Sequence, residues 1–310
     1  MCDSLSRAAS IFFASKPVDK ARSLIQDAAT EKFMAQQEDE LIRVTMVGTG
    51  TVFNPDRRGP PLYVIRKGSK PPLVLECSEG FWKRVRDATG ANLFLLDGID
   101  IAITHAHADH VGGLFPFEVG RHCARWMRGL HGGQVRVHGP HQIRSGHEAI
   151  KRAHLPEHRT EKLACSGLRF QPTKPGLSVV LSNGFSLEAL PVFHGDPVIE
   201  VNAFRVTIDG VVIAYTGDAG WTEDTAFMLK NVFRGADVVI CDASGGAKSG
   251  SARHLDTLHA GALAKEHDVQ TLVLTHLTDF DPPEALEKAC REAGFEGDVI
   301  IPNDGDEINF

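Results

Sequence analysis

Residues 99–114 read IDIAITHAHADHVGGL. An isoleucine-rich apolar run leads straight into His105, His107, Asp109 and His110, four strong ligands within six residues. Imidazole nitrogens and carboxylate oxygens are borderline donors that suit zinc, iron or manganese. Residues two apart on an extended chain point the same way, so His105 and His107 can address one ion as the chain leaves its strand. Asp109 and His110 lie beyond a turn, where they can address a second. Val111-Gly112-Gly113-Leu114 lets the backbone turn tightly and start a helix. A merely solvated histidine-rich loop does not account for this order directly behind a strand.

The chain on either side has the same style. Strands are expected in LIRVTMVGTG (41–50), LYVIRKG (62–68) and PPLVLECSEG (71–80), and FWKRVRDATG (81–90) reads as a helix ending at Gly90. A helical stretch follows the histidine-rich loop, then a strand and turn in QVRVHGP (134–140). The second half repeats the theme with LSVVLSNGFSLEALPVFHG (177–195) and a hairpin in VNAFRVTIDGVVIAYTGDAG (201–220). A helix near 222–233, the strand ADVVICDAS (236–244), a helix near 256–267 and the strand TLVLTHL (271–277) complete it. Each half is strand-rich first and helical later. That pattern predicts an α/β fold with two sheets face to face and helices outside, a four-layer αββα sandwich. Residues 1–40 differ, being dominated by Ala, Ser, Lys, Glu and Gln. One or two amphipathic helices around Pro17 are expected there, an N-terminal helical extension to a catalytic domain at 41–310.

Composition narrows the function classes. The 310 residues are 42% hydrophobic and 24% charged, enough to bury a sizeable core. A net charge of −7 argues against an extended nucleic-acid surface, which needs clustered Lys and Arg, so nucleic acid is an unexpected partner. The six cysteines (Cys2, Cys77, Cys123, Cys165, Cys241 and Cys290) are scattered with no Cys-x-x-Cys pair. They read as free thiols of a reducing compartment, neither a zinc site nor a disulfide framework. No apolar run approaches the ~18 residues of a membrane span. The weak apolar centre near Phe12 is shorter than the roughly 7–15 residues of a secretory signal. A cytoplasmic protein with no membrane partner is expected.

ITHAHADHVGGL resembles the His-x-His-x-Asp-His motif of the metallo-β-lactamase superfamily, and the resemblance extends over residues 41–310. His194 in PVFHGD is similar to the histidine that completes that family's first metal site. Asp218 in YTGDAG is similar to the carboxylate bridging both ions, and His276 in LVLTHL to the last histidine of the second site. The resemblance implies a dinuclear hydrolase with the metallo-β-lactamase fold. His105, His107 and His194 would hold one ion, and Asp109, His110 and His276 the other, with Asp218 and a hydroxide between them. Two zinc ions are the default, and manganese or iron would also suit these donors. Asp109 counts as a catalytic group as well as a ligand. Glu76 stands where the family usually has Asp.

Two further segments point to a branch. VGTGTVFNPDRRGPPLYV (47–64) resembles the opening loop shared by tRNase Z and arylsulfatase-like enzymes, and RHLDTLHAGALAKEHDVQTLVLTHL (253–277) resembles their ending. That likeness implies His254 as the general acid for the leaving group, with Asp256 or Glu79 as its positioning partner. It implies a small-molecule substrate, a phosphodiester or aryl sulfate ester. Against tRNA 3′-processing stand the acidic balance, the 24 positions from His194 to Asp218, which leave no room for a tRNA-gripping arm, and an ending LTHLTDFDPP without Ser-x-Arg-Tyr. The same cage would also serve a lactonase or β-lactamase attacking a carbonyl carbon, or a non-catalytic metal-binding module. A homodimer is expected from the same resemblance. Substrate contacts are nearly unreadable: Arg57, Arg58 and Pro60 lie near the opening loop, and 116–147 falls where pockets vary in the family, its His122, His131, His138, His141 and His147 reading equally as surface residues or ligands.

Overall fold

The structure, a computed structural model, describes residues 41–52, 58–155, 167–248 and 250–310. The helical extension expected over 1–40 lies outside the described residues, as does Arg57. Ile42–Phe310 forms one compact unit.

Among the described residues this unit holds two seven-stranded sheets. The first contains β1 (Ile42–Gly48), β2 (Leu62–Lys67), β3 (Leu73–Leu75), β4 (Ile99–Ala102), β5 (Val135–Gly139), β6 (Leu168–Pro172) and β14 (Glu307–Asn309), in the order β14-β1-β2-β3-β4-β5-β6. The second contains β7 (Ser178–Val180), β8 (Ser186–Val192), β9 (Val201–Ile208), β10 (Val211–Tyr215), β11 (Val238–Asp242), β12 (Thr271–Thr275) and β13 (Asp298–Ile300), in the order β13-β12-β11-β10-β9-β8-β7. The helices are α1 (Phe81–Thr89), α2 (Ala108–Val111), α3 (Leu114–Trp126), α4 (His141–His154), α5 (Ala226–Phe233), α6 (Thr257–Glu266) and α7 (Pro283–Glu292).

The period of two along each strand builds the layers. In β11, Val238 and Ile240 pack between the sheets with Met46, Tyr63 and Phe204, while Val239 and Cys241 face outward onto α5, α6 and α7 through Phe233, Leu263 and Leu286. On the other sheet Ile101 and Val137 point outward to Phe81 of α1, Phe117 of α3 and Ile143 of α4. The result is helix, sheet, sheet, helix: the expected αββα sandwich. Tyr63 and Tyr215 meet edge to face across the sheets, their centroids 5.1 Å apart. Helix α1 ends where expected, with Gly90 in the left-handed region at φ 74° and its N–H on the Arg86 carbonyl.

Parallel pairing positions the chemistry. β3 to β6 run parallel, as do β10 to β13, so within each run the C-terminal ends gather on one rim. β8 is antiparallel to β9, and β9 to β10, so β8 ends on the same rim as β10. His105, His194, Asp218, Asp242 and His276 all lie at or just past such an end.

One buried ion pair sits between the sheets. Asp100 on β4 accepts from Arg136 Nε at 2.7 Å and Nη2 at 3.0 Å, from His138 Nε2 at 2.7 Å and from the Ser182 N–H at 2.7 Å. Burial alone would raise its pKa, but the His138 and Arg136 bonds hold it below the usual carboxylate range. Such a group stabilises the fold above its unfolded pKa, and the contribution is lost as pH falls through the depressed folded value. Asp100→Asn is therefore expected to cost about 3 kcal/mol at pH 7 in urea melts and to flatten the acid limb of stability against pH. An unchanged acid limb would remove Asp100 from that role.

Candidate metal centre

The rim brings the histidine-rich loop together with three distant residues. One donor atom each from His105, His107, His194 and Asp218 lies within 4.8 Å of the others, as do those of Asp109, His110 and His276. Asp218 faces both groups. Its Oδ2 lies 4.0 Å from His105 Nε2 and 3.7 Å from His194 Nε2, and its Oδ1 lies 3.2 Å from His110 Nε2 and 3.3 Å from His276 Nε2. Asp109 Oδ2 is 3.7 Å from the Nε2 atoms of both His110 and His276. His107 Nδ1 meets His105 Nε2 at 2.8 Å. The structure thus brings all seven sequence-predicted ligand candidates into one cluster.

Local backbone explains how. His105 and His107 leave β4 with Ala106 between them, and His107 then becomes the N-cap of α2 in extended conformation, which turns Asp109 and His110 inward. His276 follows β12 at φ 56°, a left-handed step that aims its ring back across the rim. Gly217, at φ 58°, sits where a Cβ would lie 2.6 Å from Thr104, so only glycine lets Asp218 approach the loop after β4.

The cluster fits cations. His110 Nε2, His276 Nε2 and Asp218 Oδ1 are buried and make no hydrogen bond, a costly arrangement for imidazoles and a carboxylate unless something bridges them. Burial pushes His105 down, and neighbouring His110 adds to that, so His105 favours the neutral ligand form. Burial would raise Asp218, but His276 and His110 hold it well below the usual range, so it stays a carboxylate. Hard and borderline donors gathered around one carboxylate make a set that could hold metal.

The surrounding shell fixes the rings. Glu76, at φ 72° and fully buried, places Oε1 3.3 Å from His110 Nδ1 and accepts from Thr104 Oγ1 at 2.7 Å. Thr104 Oγ1 in turn takes His105 Nδ1 at 2.9 Å, so one carboxylate steadies a ring in each group. Glu76 therefore orients rings despite standing where Asp is usual. His194 Nδ1 donates to the Arg253 carbonyl at 2.5 Å, which leaves Nε2 facing Asp218.

His254 joins the same rim. Its ring stacks on His276 with centroids 5.4 Å apart and meets His194 edge to face at 4.9 Å. Its partner is Asp242, whose Oδ2 lies 3.0 Å from His254 Nδ1, rather than Asp256 or Glu79. Asp256 instead caps α6 by accepting from the His259 N–H, and Glu79 is exposed. Burial lowers His254, but the Asp242 charge and hydrogen bond outweigh it and the net shift is upward. Asp242 was missed at the level of sequence. Its signal was available: ADVVICD ends in a ligand-type residue, as IAITH and LVLTH do.

Other expectations are corrected. His138 and His147 are neither surface residues nor metal donors; His138 is bound to Asp100 and His147 Nε2 to Glu118 at 2.8 Å, both buried. Arg58 is buried, with Nε on Asp279 at 2.9 Å and Nη1 on Thr49 Oγ1 at 2.7 Å. These bonds tie the opening loop to the loop after His276.

A layered sandwich carrying this histidine and aspartate cluster on one rim defines a class of metal-dependent hydrolases. The family described as "Beta-lactamase superfamily domain" matches residues 74–277, and the chain belongs to the metallo-β-lactamase superfamily. It is 24% identical over 267 residues to the probable metallo-hydrolase YhfI of Bacillus subtilis (strain 168), covering 85% of this chain and 98% of that protein. The crystal structure of YhfI superposes with a TM-score of 0.68, covering 87% of this chain and 100% of the other. A Ribonuclease Z of Methanopyrus kandleri is 25% identical over 302 residues, covering 86% and 97%. A diphosphatase of the PhnP family shares the fold at a TM-score of 0.62 and 18% identity, covering 87% and 97%. Among the described residues no helix is long and apolar enough to cross a membrane.

Proposed function

We propose that this superfamily hydrolase uses two metal ions, zinc by default, to cleave a small phosphodiester or aryl sulfate ester. The observation that carries the reading is the two-sided Asp218 carboxylate, one oxygen toward His105 and His194 and the other toward His110 and His276. Ions held in this way supply a nucleophile from water near neutral pH and offset charge on the attacked centre. Asp109 belongs to the His110 and His276 side of the cage, and its catalytic part is to keep that side anionic. His254, held through Nδ1 by Asp242, keeps Nε2 to give a proton to the departing alkoxide or phenoxide as its bond to phosphorus or sulfur breaks.

The names Ribonuclease Z and diphosphatase support the phosphate-ester direction. A small substrate is supported by the net charge of −7 and by the stretch between His194 and Asp218, most of which is taken up by the β9–β10 hairpin. RNA cleavage is the second reading, favoured by the Ribonuclease Z likeness. The deciding measurement is metal content together with turnover of a bis-aryl phosphodiester, an aryl sulfate, a lactone, a β-lactam and a precursor tRNA, each with and without chelator. About two metals per chain with chelator-sensitive cleavage of the diester or sulfate supports the proposal. Preference for lactone, lactam or tRNA overturns the substrate class.

His254→Ala should lower kcat by on the order of 10²–10⁴ for poor leaving groups, and far less for p-nitrophenoxide, which departs without a proton. Equal losses across a leaving-group series would remove His254 as the acid.

A further inference from the structure

Beside the His194 side of the centre lies a cavity of about 570 Å³. We propose that it is a subsite for an uncharged aryl or bulky alkyl group of the ester, an assignment that rests on the hydrolase reading above. Its walls neighbour the cluster along the chain and across the rim. Phe193 precedes His194, and the backbone N–H of Asn202, another wall residue, donates at 3.0 Å to the carbonyl of Thr104, the residue before His105. Pro140 follows β5 on the rim where His105 follows the parallel β4.

The lining selects the ligand's chemistry. Phe193, Ile199 and Met228 give it an apolar floor, and five of its fifteen described lining residues are prolines, Pro140 and Pro197 among them. Fixed φ angles leave such walls little freedom to lose on binding. Gln142 on α4 holds the loop from both sides, its Nε2 donating to the Val198 carbonyl at 2.7 Å and its Oε1 accepting from the Glu200 N–H at 3.3 Å. Asp196 and Glu200 are the carboxylates of the lining, and no Lys or Arg stands among its described residues. A second phosphate or a polynucleotide strand would meet like charge there, whereas a neutral ring meets apolar surface at a volume typical of small-molecule pockets.

The test compares p-nitrophenyl methyl phosphate with p-nitrophenyl phenyl phosphate on the metal-loaded protein, and measures 2-naphthol binding by calorimetry. The phenyl diester should be favoured about 10- to 100-fold in kcat/KM, and naphthol should bind. Met228→Trp, which fills the cavity from α5, should collapse the phenyl-to-methyl ratio toward one and weaken naphthol several-fold. Ile199→Trp, from the loop, should do the same, and circular dichroism checks that each variant is folded. Naphthol binding that both variants weaken, without turnover of either diester, would keep the subsite and sink the hydrolase reading. Turnover with no phenyl preference and no naphthol binding would keep the hydrolase and overturn the subsite. Naphthol binding untouched by both substitutions would overturn the subsite as well.

Discussion

Asp218→Ala is expected to strip the protein of metal and to lower turnover by on the order of 10³-fold or more, while leaving the sandwich folded. The side chain sits at the centre of the cluster, and its two oxygens face both groups of imidazoles. Removing it leaves His110 and His276 with buried nitrogens and one fewer negative charge to offset a cation. The fold should survive because Asp218 lies past the end of β10, outside the apolar layers that hold the sheets together. Elemental analysis and far-UV circular dichroism of the variant check both halves of the statement. Full metal content with full activity would remove Asp218 as the bridge. Metal affinity should also fall as pH falls. Burial lowers His110, but Asp218 and Glu76 outweigh it and raise it well above the ordinary histidine value, so an ion must displace a proton there, and acid favours the proton.

Asp242→Asn should lower kcat by roughly 10²-fold and cost about 2 kcal/mol of stability. Both carboxylate oxygens already accept: Oδ1 from the Ser244 N–H at 2.8 Å, Oδ2 from the Ala219 N–H at 3.1 Å and from His254 Nδ1 at 3.0 Å. His276 Nδ1 stands 3.6 Å from Oδ1. An amide must turn its NH₂ toward the donors on one side, so the isosteric change breaks at least one hydrogen bond and removes the negative charge that both rings face. Burial would raise Asp242, but His254 and His276 hold its pKa below the usual range, which keeps it charged in its positioning role. A merely structural residue would cost stability without changing the leaving-group dependence. Asp242→Asn should instead reproduce the His254→Ala pattern, with larger losses for poor leaving groups. A stability loss with an unaltered leaving-group slope would make Asp242 structural only.

The layers and the histidine-rich loop were legible in the sequence for one physical reason, and the family resemblance added His194, Asp218 and His276. Strands that end in a ligand-type residue, IAITH and LVLTH, combine a period of two with chemistry placed at their C-terminal ends, and both signals are local. Asp242 carries the same local signal at the end of ADVVICD, but its role as the partner of His254 comes from the register that sets β11 between β10 and β12. Asp256, two positions from His254 in the chain, caps α6 instead of holding that ring, and Glu79 is exposed. His138 and His147 read as surface residues or ligands because a histidine's burial depends on a carboxylate brought by another element, Asp100 from β4 and Glu118 from α3.

By itself, then, the sequence determined the αββα order and the His105–His110 ligand run, since periodicity and ligand type are written in neighbouring positions, while His194, Asp218 and His276 followed from the family resemblance. Tertiary structure alone decided which groups steady those residues and where an apolar group can rest. The Arg253 carbonyl that turns His194 is backbone, and backbone carries no residue signature. The prolines around the His194 side come from β6, β8 and separate loops, and become one wall only when the strand ends converge.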